Sequence, residues 1–214
     1  SRISGAVILP SDSVYGSARL VYNQRFDPYP SIIVRPGSES DIARSIEFAR
    51  INGIRMVVRS GGHSYIGASG GTGMVLDMSS MNAVAPLGDG LFRIGYGARL
   101  KRVYGDLRCN GNWTIPCGSC DTVGFGGIAQ GGGFGYLQRA AGLTCDRVRS
   151  ARVVLADGTA VDASPDADAD LYWAIRGGGG GSFDPLALLL LGGFGWWRRR
   201  MQIAAVAATS PKLF

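Results

Sequence analysis

Glycine is the feature of this sequence that most limits what the chain can fold into. Of 214 residues, 34 are glycine, and many of them cluster at residues 60–73, 118–135 and 177–195. The clusters lack the regular period of collagen and lie between apolar runs, which indicates loops where backbone approaches another group closely. Apolar residues make up 46% of the chain and charged residues 18%, which favours a globular domain built around those loops.

The net charge of +6 gives little support to nucleic-acid binding. Half of it belongs to residues 184–214, which carry four basic groups and one acid, and the rest is scattered as on a solvated surface. The longest apolar run, residues 186–197, is shorter than the roughly 20 residues of a membrane span. We predict neither a nucleic-acid partner nor a membrane span. No apolar signal segment follows the first serine, so secreted and cytoplasmic locations both stay open.

The first recognisable unit is a strand, a helix and a second strand. Residues 31–35 are rich in β-branched side chains, and Ser38 with Asp41 three positions later resembles a capping box. Apolar residues then follow at helical spacing until Gly53, after which residues 54–59 form a typical strand pattern. This order favours an α/β beginning with parallel pairing.

The later pattern changes to strands in sequence-local pairs. A hairpin is predicted from residues 148–155 and 159–161, and Ser164 with Pro165 is predicted to open a last helix. The remaining predicted elements are a short helix at 15–22, strands at 74–78 and 91–96, and a helix at 100–107. The fold class is therefore α+β, with a small α/β subdomain followed by a mainly antiparallel sheet with helices.

The sole histidine lies in the first glycine cluster, in the run R-S-G-G-H-S-Y that directly follows a predicted strand. Successive N–H groups of Ser60, Gly61 and Gly62 form a concave donor site suited to a diphosphate. A hairpin loop with His63 at the surface is the plainer interpretation of the same residues.

The second glycine cluster favours the ligand-binding interpretation over the surface hairpin loop. Residues 117–127 read C-G-S-C-D-T-V-G-F-G-G, and residues 130–136 read Q-G-G-G-F-G-Y. Together the clusters resemble the FAD-linked oxidases of the vanillyl-alcohol oxidase and berberine-bridge-enzyme type. That family has R-S-G-G-H-S-Y in its first loop, and commonly G-x-C-P-T-V-G followed by G-G-G-x-G in its second. The resemblance spans residues 26–183 and implies a PCMH-type FAD-binding domain at 30–183, between an N-terminal arm at 1–29 and a divergent tail at 184–214.

The resemblance also assigns site residues. It implies that His63 bonds the 8α-methyl group of FAD and that Cys120 bonds C6 of its ring, as in bicovalent members. Asp121 replaces the usual proline, and Ile128 stands where many bicovalent members carry a histidine. The predicted cofactor-binding residues are Arg59, Ser60, Gly61, Gly62, His63, Ser64, Cys120, Thr122, Val123, Gly124, Gly126, Gly127, Gly132, Gly133, Phe134, Gly135 and Tyr136. We expect the imidazole and the Thr-Val-Gly turn to share one cavity.

The activity implied by the resemblance is oxidation of an alcohol, sugar or related small molecule by hydride transfer to flavin, with O2 as the acceptor. No catalytic residue is assignable, because the family places its substrate domain, and a segment that often supplies a tyrosine base, beyond this sequence. The alternative is an FAD-binding fragment without catalytic activity. The oligomeric state is left unassigned.

Cysteines and tyrosines leave alternatives open. Cys117 and Cys120 have the spacing of a redox pair or half a zinc site, although no second such pair supplies the remaining ligands. A disulfide among Cys109, Cys117 and Cys145 competes with buried free thiols. Tyrosines in strands and helices are most often core, and that is the expectation for four of them, with Tyr136 the best candidate for a place near the flavin. These four are Tyr65, Tyr96, Tyr104 and Tyr136.

Two weaker patterns complete the picture. Residues 124–129 match the letters of the Rossmann fingerprint, but no clean strand precedes them, so a nicotinamide cofactor is the lesser interpretation. Residues 184–214 abandon the alternating pattern expected there and read as leucines, tryptophans and an arginine run. Our hypothesis for them is a reading-frame error, with a short interfacial anchor as the alternative.

Overall fold

The first half of the chain forms a four-stranded mixed sheet. A computed structural model describes residues 3–178 and 205–206. The strands are β1 Ala6–Ile8, β2 Ile32–Arg35, β3 Met56–Arg59 and β4 Met74–Asp77, in the order β1-β2-β4-β3. β1 runs antiparallel to β2, whereas β2 and β3 both run parallel to β4. The expected parallel pairing is confirmed, but β4 lies between the two strands of the predicted unit.

The helix between β2 and β3 is α2, Glu39–Ile51. It begins at Ser38, whose hydroxyl oxygen accepts a hydrogen bond from the Asp41 N–H at 3.2 Å, as the capping-box pattern predicts. After it ends, Gly53 takes the left-handed conformation with φ of 63° and turns the chain toward β3.

The two faces of the mixed sheet pack against different helices. On one face Val34 and Leu76 belong to the main core together with the buried side of α2. On the other face Ile33 and Val75 pack with Tyr15 of α1, Tyr15–Ala18, in a smaller core. This follows from the alternation of side chains along a strand, and it makes the β2–β4 pair the buried centre of the sheet. The predicted helix at 15–22 is thus limited to its first turn.

The second half consists of hairpins and short helices, which confirms the α+β class. β5 pairs antiparallel with β6, and β7 lies antiparallel between β8 and β9. Among the described residues up to 178, the strands β1 and β5 had no counterpart in the sequence prediction. The elements are β5 Val84–Gly88, β6 Leu91–Ile94, α3 Leu100–Cys109, α4 Phe125–Gln130, α5 Gln138–Ala141, β7 Ala151–Val154, β8 Ala160–Ala163, α6 Ala169–Trp173 and β9 Ala205–Val206. Short 3-10 turns at Met78–Ser80 and Cys145–Arg147 and a π-helical turn at Ala174–Gly178 complete them.

The predicted start of the last helix at Ser164 is wrong. The Ser164 hydroxyl oxygen accepts hydrogen bonds from the N–H groups of Asp166 at 3.2 Å and Ala167 at 3.0 Å, which closes a turn. α6 begins only after Asp168, whose carboxylate accepts from the Leu171 N–H at 3.4 Å. Serine and aspartate both satisfy nearby N–H groups in turns and at helix starts, so the pattern fitted either position.

Two predictions concern regions that the structure describes only in part. Of residues 184–214 it describes Ala205–Val206, whose backbone pairs with β7, so the hypotheses for this tail otherwise lie outside the described residues. The division at 1–29, 30–183 and 184–214 stays a prediction. Among the described residues, every helix is too short or too polar to cross a membrane.

Candidate functional site

Two glycine-rich loops cross in direct backbone contact. The loop of residues 59–64 follows β3, and the turn of residues 120–124 leads into α4. A Cβ atom placed on Gly61 would overlap the backbone nitrogen of Gly124, and a Cβ atom on Gly124 would overlap that of Gly61. Glycine is therefore required at both positions for the loops to cross, and the crossing joins regions about sixty residues apart in sequence.

The crossing forms the wall of a cleft of about 860 Å³. The imidazole and the Thr-Val-Gly turn therefore share one cavity. Thirteen of the predicted site residues line it: Ser60, Gly61, Gly62, His63, Ser64, Cys120, Val123, Gly124, Gly127, Gly133, Phe134, Gly135 and Tyr136.

His63 is held on two sides. Its Nε2 lies 3.0 Å from the Thr122 hydroxyl oxygen, and its ring stacks on Tyr22 with centroids 4.0 Å apart and an interplanar angle of 19°. The Tyr22 N–H donates to the Gly62 carbonyl at 3.0 Å, which fixes the N-terminal arm against the loop. Burial lowers the pKa of His63, and the positive charge of Arg99 lowers it further, so the neutral imidazole is favoured.

Cys120 shares the same threonine. Its Sγ lies 3.4 Å from the Thr122 hydroxyl oxygen, and its side chain is exposed at the cleft. Hydrogen bonds from the hydroxyl and then from the backbone N–H of Thr122 lower the pKa of the Cys120 thiol. Thr122 itself is not among the lining residues, but it connects the two nucleophilic side chains.

The turn that carries Cys120 and Thr122 is fixed by α3. The N–H of Leu100 donates to the Val123 carbonyl at 3.0 Å, and the N–H of Lys101 donates to the Asp121 carbonyl at 2.9 Å. These carbonyls satisfy the first turn of α3 in place of a side-chain cap. Asp121 contributes a main-chain carbonyl that proline would also offer, so its departure from the family pattern leaves this anchorage intact.

The first loop lines the cleft and has backbone N–H groups that are unused among the described residues. The N–H groups of Gly61, Gly62 and His63 donate to no acceptor among the described residues, and Gly62 has φ of 75°. Successive N–H groups around a left-handed residue make a concavity suited to an anion. The loop therefore fits a diphosphate, and the cavity beside it is large enough for a planar ring system.

A family model described as FAD binding domain matches residues 30–164. The chain belongs to this family of FAD binding domains. The resemblance to FAD-linked oxidases of the berberine-bridge-enzyme type is confirmed.

Relatives of this FAD binding domain include enzymes of known structure. It is 39% identical over 178 residues to FAD-linked oxidoreductase pynB of Aspergillus niger, covering 82% of this chain and 33% of the relative. Among solved structures, BBE-like 1 of Physcomitrella patens matches with a TM-score of 0.78 and 36% identity, covering 81% of this chain and 38% of the other. A structure concerned with 6-S-cysteinyl, 8α-N1-histidyl FAD in glucooligosaccharide oxidase from Acremonium strictum matches with a TM-score of 0.76 and 33% identity, covering 82% and 38%. The chain thus spans between 33% and 38% of the length of these relatives.

Four predicted site residues of the FAD binding domain lie outside the cleft lining: Arg59, Thr122, Gly126 and Gly132. Arg59 is buried, and its guanidinium donates to the Ala18 carbonyl at 2.6 Å and to the Asp77 carboxylate at 3.1 Å. Its donors thus join the N-terminal arm to the sheet. Gly126 packs against the ring of Tyr96 instead of facing the cavity.

Some lining residues were missed in the sequence. Gly118, Ser119 and Gly131 lie within the glycine-rich motifs, so extending the motifs by one or two positions would have found them. Ile128 was singled out only as a departure from the family pattern, and no sequence signal points to Val58 or Ser69.

The tyrosines divide into two groups. Tyr96 is buried as expected, although it also borders the cleft: its hydroxyl donates to the Gln130 side chain at 2.9 Å, and burial raises its pKa to about 12. Tyr104 donates to the Gly118 carbonyl at 2.7 Å. The expectation of core is wrong for Tyr65 and Tyr136, which are 89% and 93% exposed and line the cleft.

The four cysteines are all free thiols, so of the two alternatives left open it is the free thiols that the structure has, although Cys109 is exposed and not buried. Cys117 and Cys145 are buried, and Cys109 and Cys120 are exposed. Burial raises the pKa of Cys117 and Cys145, which makes both poor nucleophiles. Within the part of the chain that the structure describes, no group of three or more histidine, cysteine or acidic residues is placed to hold a metal ion.

Proposed function

We propose that this chain holds FAD for an oxidoreductase, with the flavin bonded to His63 and to Cys120. The observation that carries the proposal is the shared position of the two side chains. Each contacts the hydroxyl of Thr122, at 3.0 Å and 3.4 Å, and both line one cleft. A surface histidine in an ordinary hairpin loop would need neither the loop crossing nor the cysteine.

Different residues around the cleft suit different parts of FAD. The free N–H groups of Gly61, Gly62 and His63 suit the diphosphate, and the walls formed by Val123 and Ile128 suit the ring. When bound, FAD supplies a two-electron hydride acceptor, whose electronics the covalent partners tune.

Formation of each bond, to His63 and to Cys120, is a two-electron oxidation. Each replaces one C–H bond of the flavin, and the protein atom gives up its N–H or S–H proton. Two electrons and two protons therefore leave for each bond formed, and dioxygen accepts them as hydrogen peroxide. The neutral imidazole and the thiol with lowered pKa are the forms that this chemistry needs.

For the substrate we propose a small alcohol or sugar, with O2 as the acceptor of the electrons. The support is the family and the similarity to a glucooligosaccharide oxidase. The second candidate is an FAD-binding fragment without activity. It is favoured by the described cleft lining, in which the titratable groups are His63, Cys120 and tyrosines, so no carboxylate base is present.

Acid precipitation tests the tether proposal. The chain is produced with FAD, denatured in acid and washed, and the pellet is examined for yellow colour. Mass analysis of its peptides then locates the flavin. We expect flavin on the peptides of His63 and Cys120, and His63→Ala and Cys120→Ala should each remove one site. Complete release of flavin from the unaltered protein would contradict both bonds. Oxygen uptake with a panel of sugars and alcohols separates the enzyme from the inactive fragment.

A further inference from the structure

One hydroxyl group contacts both proposed tethers. Thr122 Oγ1 lies 3.0 Å from His63 Nε2 and 3.4 Å from Cys120 Sγ. A threonine hydroxyl has one proton to donate and lone pairs with which to accept. It can therefore accept from both neighbours, or donate to one and accept from the other, but it cannot donate to both.

The state of His63 decides the direction of this pair of hydrogen bonds. If the imidazole donates its Nε2–H to Thr122, the lone pair lies on Nδ1, which makes no hydrogen bond to any residue that the structure describes. In the opposite direction the proton would lie on Nδ1 and the Nε2 lone pair would be engaged by the hydroxyl. Neither ring nitrogen would then be a free nucleophile. Only the first direction leaves His63 able to bond a ligand.

Donation from His63 to the Thr122 hydroxyl also favours the thiolate form of Cys120. Having accepted from the imidazole, the Thr122 hydroxyl still has its own proton to donate to Sγ, and a donor aimed at sulfur stabilises the thiolate. Hydrogen bonds that are linked in this way also strengthen each other.

We propose that Thr122 is the positioning residue for both tethers: its hydroxyl holds His63 in the tautomer with a free Nδ1 and holds Cys120 toward its thiolate form. This inference rests on the proposed function, because it assigns how the two bonds to flavin are made possible. Each bond forms with the loss of two electrons and two protons, which dioxygen accepts.

The first test follows bond formation over time. The flavin-free chain of 214 residues is mixed with FAD in air, and flavin on the His63 and Cys120 peptides is quantified by mass spectrometry. Thr122→Val keeps the shape and removes the hydroxyl, so we expect both bonds to form on the order of tenfold more slowly. Thr122→Ser keeps the hydroxyl and should restore both rates to within about twofold of the unaltered chain. Thr159→Val, at an exposed turn far from the cleft in sequence, is the matched control and should change neither rate.

The second test needs no flavin. The rate of alkylation of Cys120 by iodoacetamide is measured against pH in a Cys109→Ser background, because Cys109 is the other exposed thiol. Thr122→Val should move the midpoint to higher pH, since it removes the donor that lowers the thiol pKa, and Thr122→Ser should leave the midpoint in place. A merely structural role of Thr122 would not move this profile.

The outcomes separate the two proposals. If the unaltered chain forms both bonds and Thr122→Val forms them at unchanged rates, the role of Thr122 is overturned and the tethers stand. If the unaltered chain forms no bond, the tethers are overturned, and the alkylation profile alone decides whether Thr122 acts on Cys120. Should Thr122→Val fail to fold, a folded Thr122→Ser that loses both bonds would equally overturn the role of the hydroxyl.

Discussion

Polar groups beside the mixed sheet and polar groups at the cleft differ in how far their hydrogen-bonding capacity is used. Beside the sheet, the buried Asp41 carboxylate accepts hydrogen bonds from Ser4, Gly5 and Gly37. The buried Arg59 guanidinium is likewise used by a carboxylate and by main-chain carbonyls. At the cleft, by contrast, a single hydroxyl serves an imidazole and a thiol, and successive N–H groups have no acceptor among the described residues.

The difference indicates which polar residues maintain the fold and which await a ligand. A buried charge is tolerated only when its hydrogen-bonding capacity is used, so residues of the first kind contribute to stability. Residues with unused capacity at a cavity add little to stability and are available for binding. The comparison thus predicts large stability effects beside the sheet and small ones at the tethers.

Arg59→Met carries the largest expected effect. It leaves the buried Ala18 carbonyl without the guanidinium donor and Asp77 with only Arg35 and Ser79 as partners, and should lower the free energy of unfolding by about 3 kcal/mol. Urea unfolding followed by tryptophan fluorescence measures it. The control is Arg102→Met, which breaks an exposed pair with Asp106 and should cost less than about 0.5 kcal/mol. Equal losses in the two variants would contradict the structural role of Arg59.

Gly124→Ala tests the loop crossing itself. The added Cβ overlaps the backbone nitrogen of Gly61, which has no flexible end to move away, so we expect a loss of about 2–3 kcal/mol and weaker retention of FAD. Unfolding and flavin content are measured on the same samples. Gly105→Ala places a Cβ in open space on α3 and should stabilise the chain by up to about 1 kcal/mol. A Gly124→Ala chain as stable as the unaltered one would mean that the loops do not touch.

The sequence predicts a structural feature well when the residues that form it lie close together in the sequence. The helix from Ser38 onward and the hairpin of β7 and β8 were predicted, because their signals lie within a few residues of each other. The family motifs led to most of the cleft lining for a different reason, since they carry information about a shared fold.

The rest depends on contacts between distant segments. Asp41 reaches Ser4 across 37 positions, and Arg59 reaches Ala18 across 41. Nothing near Arg59 in the sequence distinguishes a side chain that binds a ligand from one that supports the sheet. The stacking of Tyr22 on His63 was equally invisible, because local patterns do not encode which distant ring an imidazole meets.

Asp41→Asn tests the polar contacts at the start of α2, with a moderate effect. Burial raises the pKa of Asp41, but hydrogen bonds from Ser4, Gly37 and Gly5 outweigh it and lower the pKa to about 2. Because the carboxyl is more acidic when folded, its contribution is full above the unfolded value near 4 and is lost as pH falls toward 2. At pH 7 Asp41→Asn should cost about 2 kcal/mol through loss of the charged acceptor.

The measurement is urea unfolding at several pH values between 2 and 7. The difference between the unaltered chain and Asp41→Asn should shrink over the acid range and vanish near its lower end. Asp106→Asn, at an exposed site, serves as the control and should show little loss at any pH. A difference that stays constant with pH would show that the carboxylate charge is not the source of the stability.

Cys120→Ser is expected to have the smallest effect on stability and the sharpest effect on the cofactor. The Cys120 side chain is exposed, and serine keeps a polar atom near the Thr122 hydroxyl, so the urea midpoint of the flavin-free chain should not change measurably. Serine lacks the thiolate, so the bond at this position should be absent from the peptide map while the bond at His63 persists. The same protein sample thus provides both measurements. A clear fall in the urea midpoint would place Cys120 with Arg59 and Asp41 among the residues that maintain the fold, and the contrast between sheet and cleft would fail at the residue where it should be strongest.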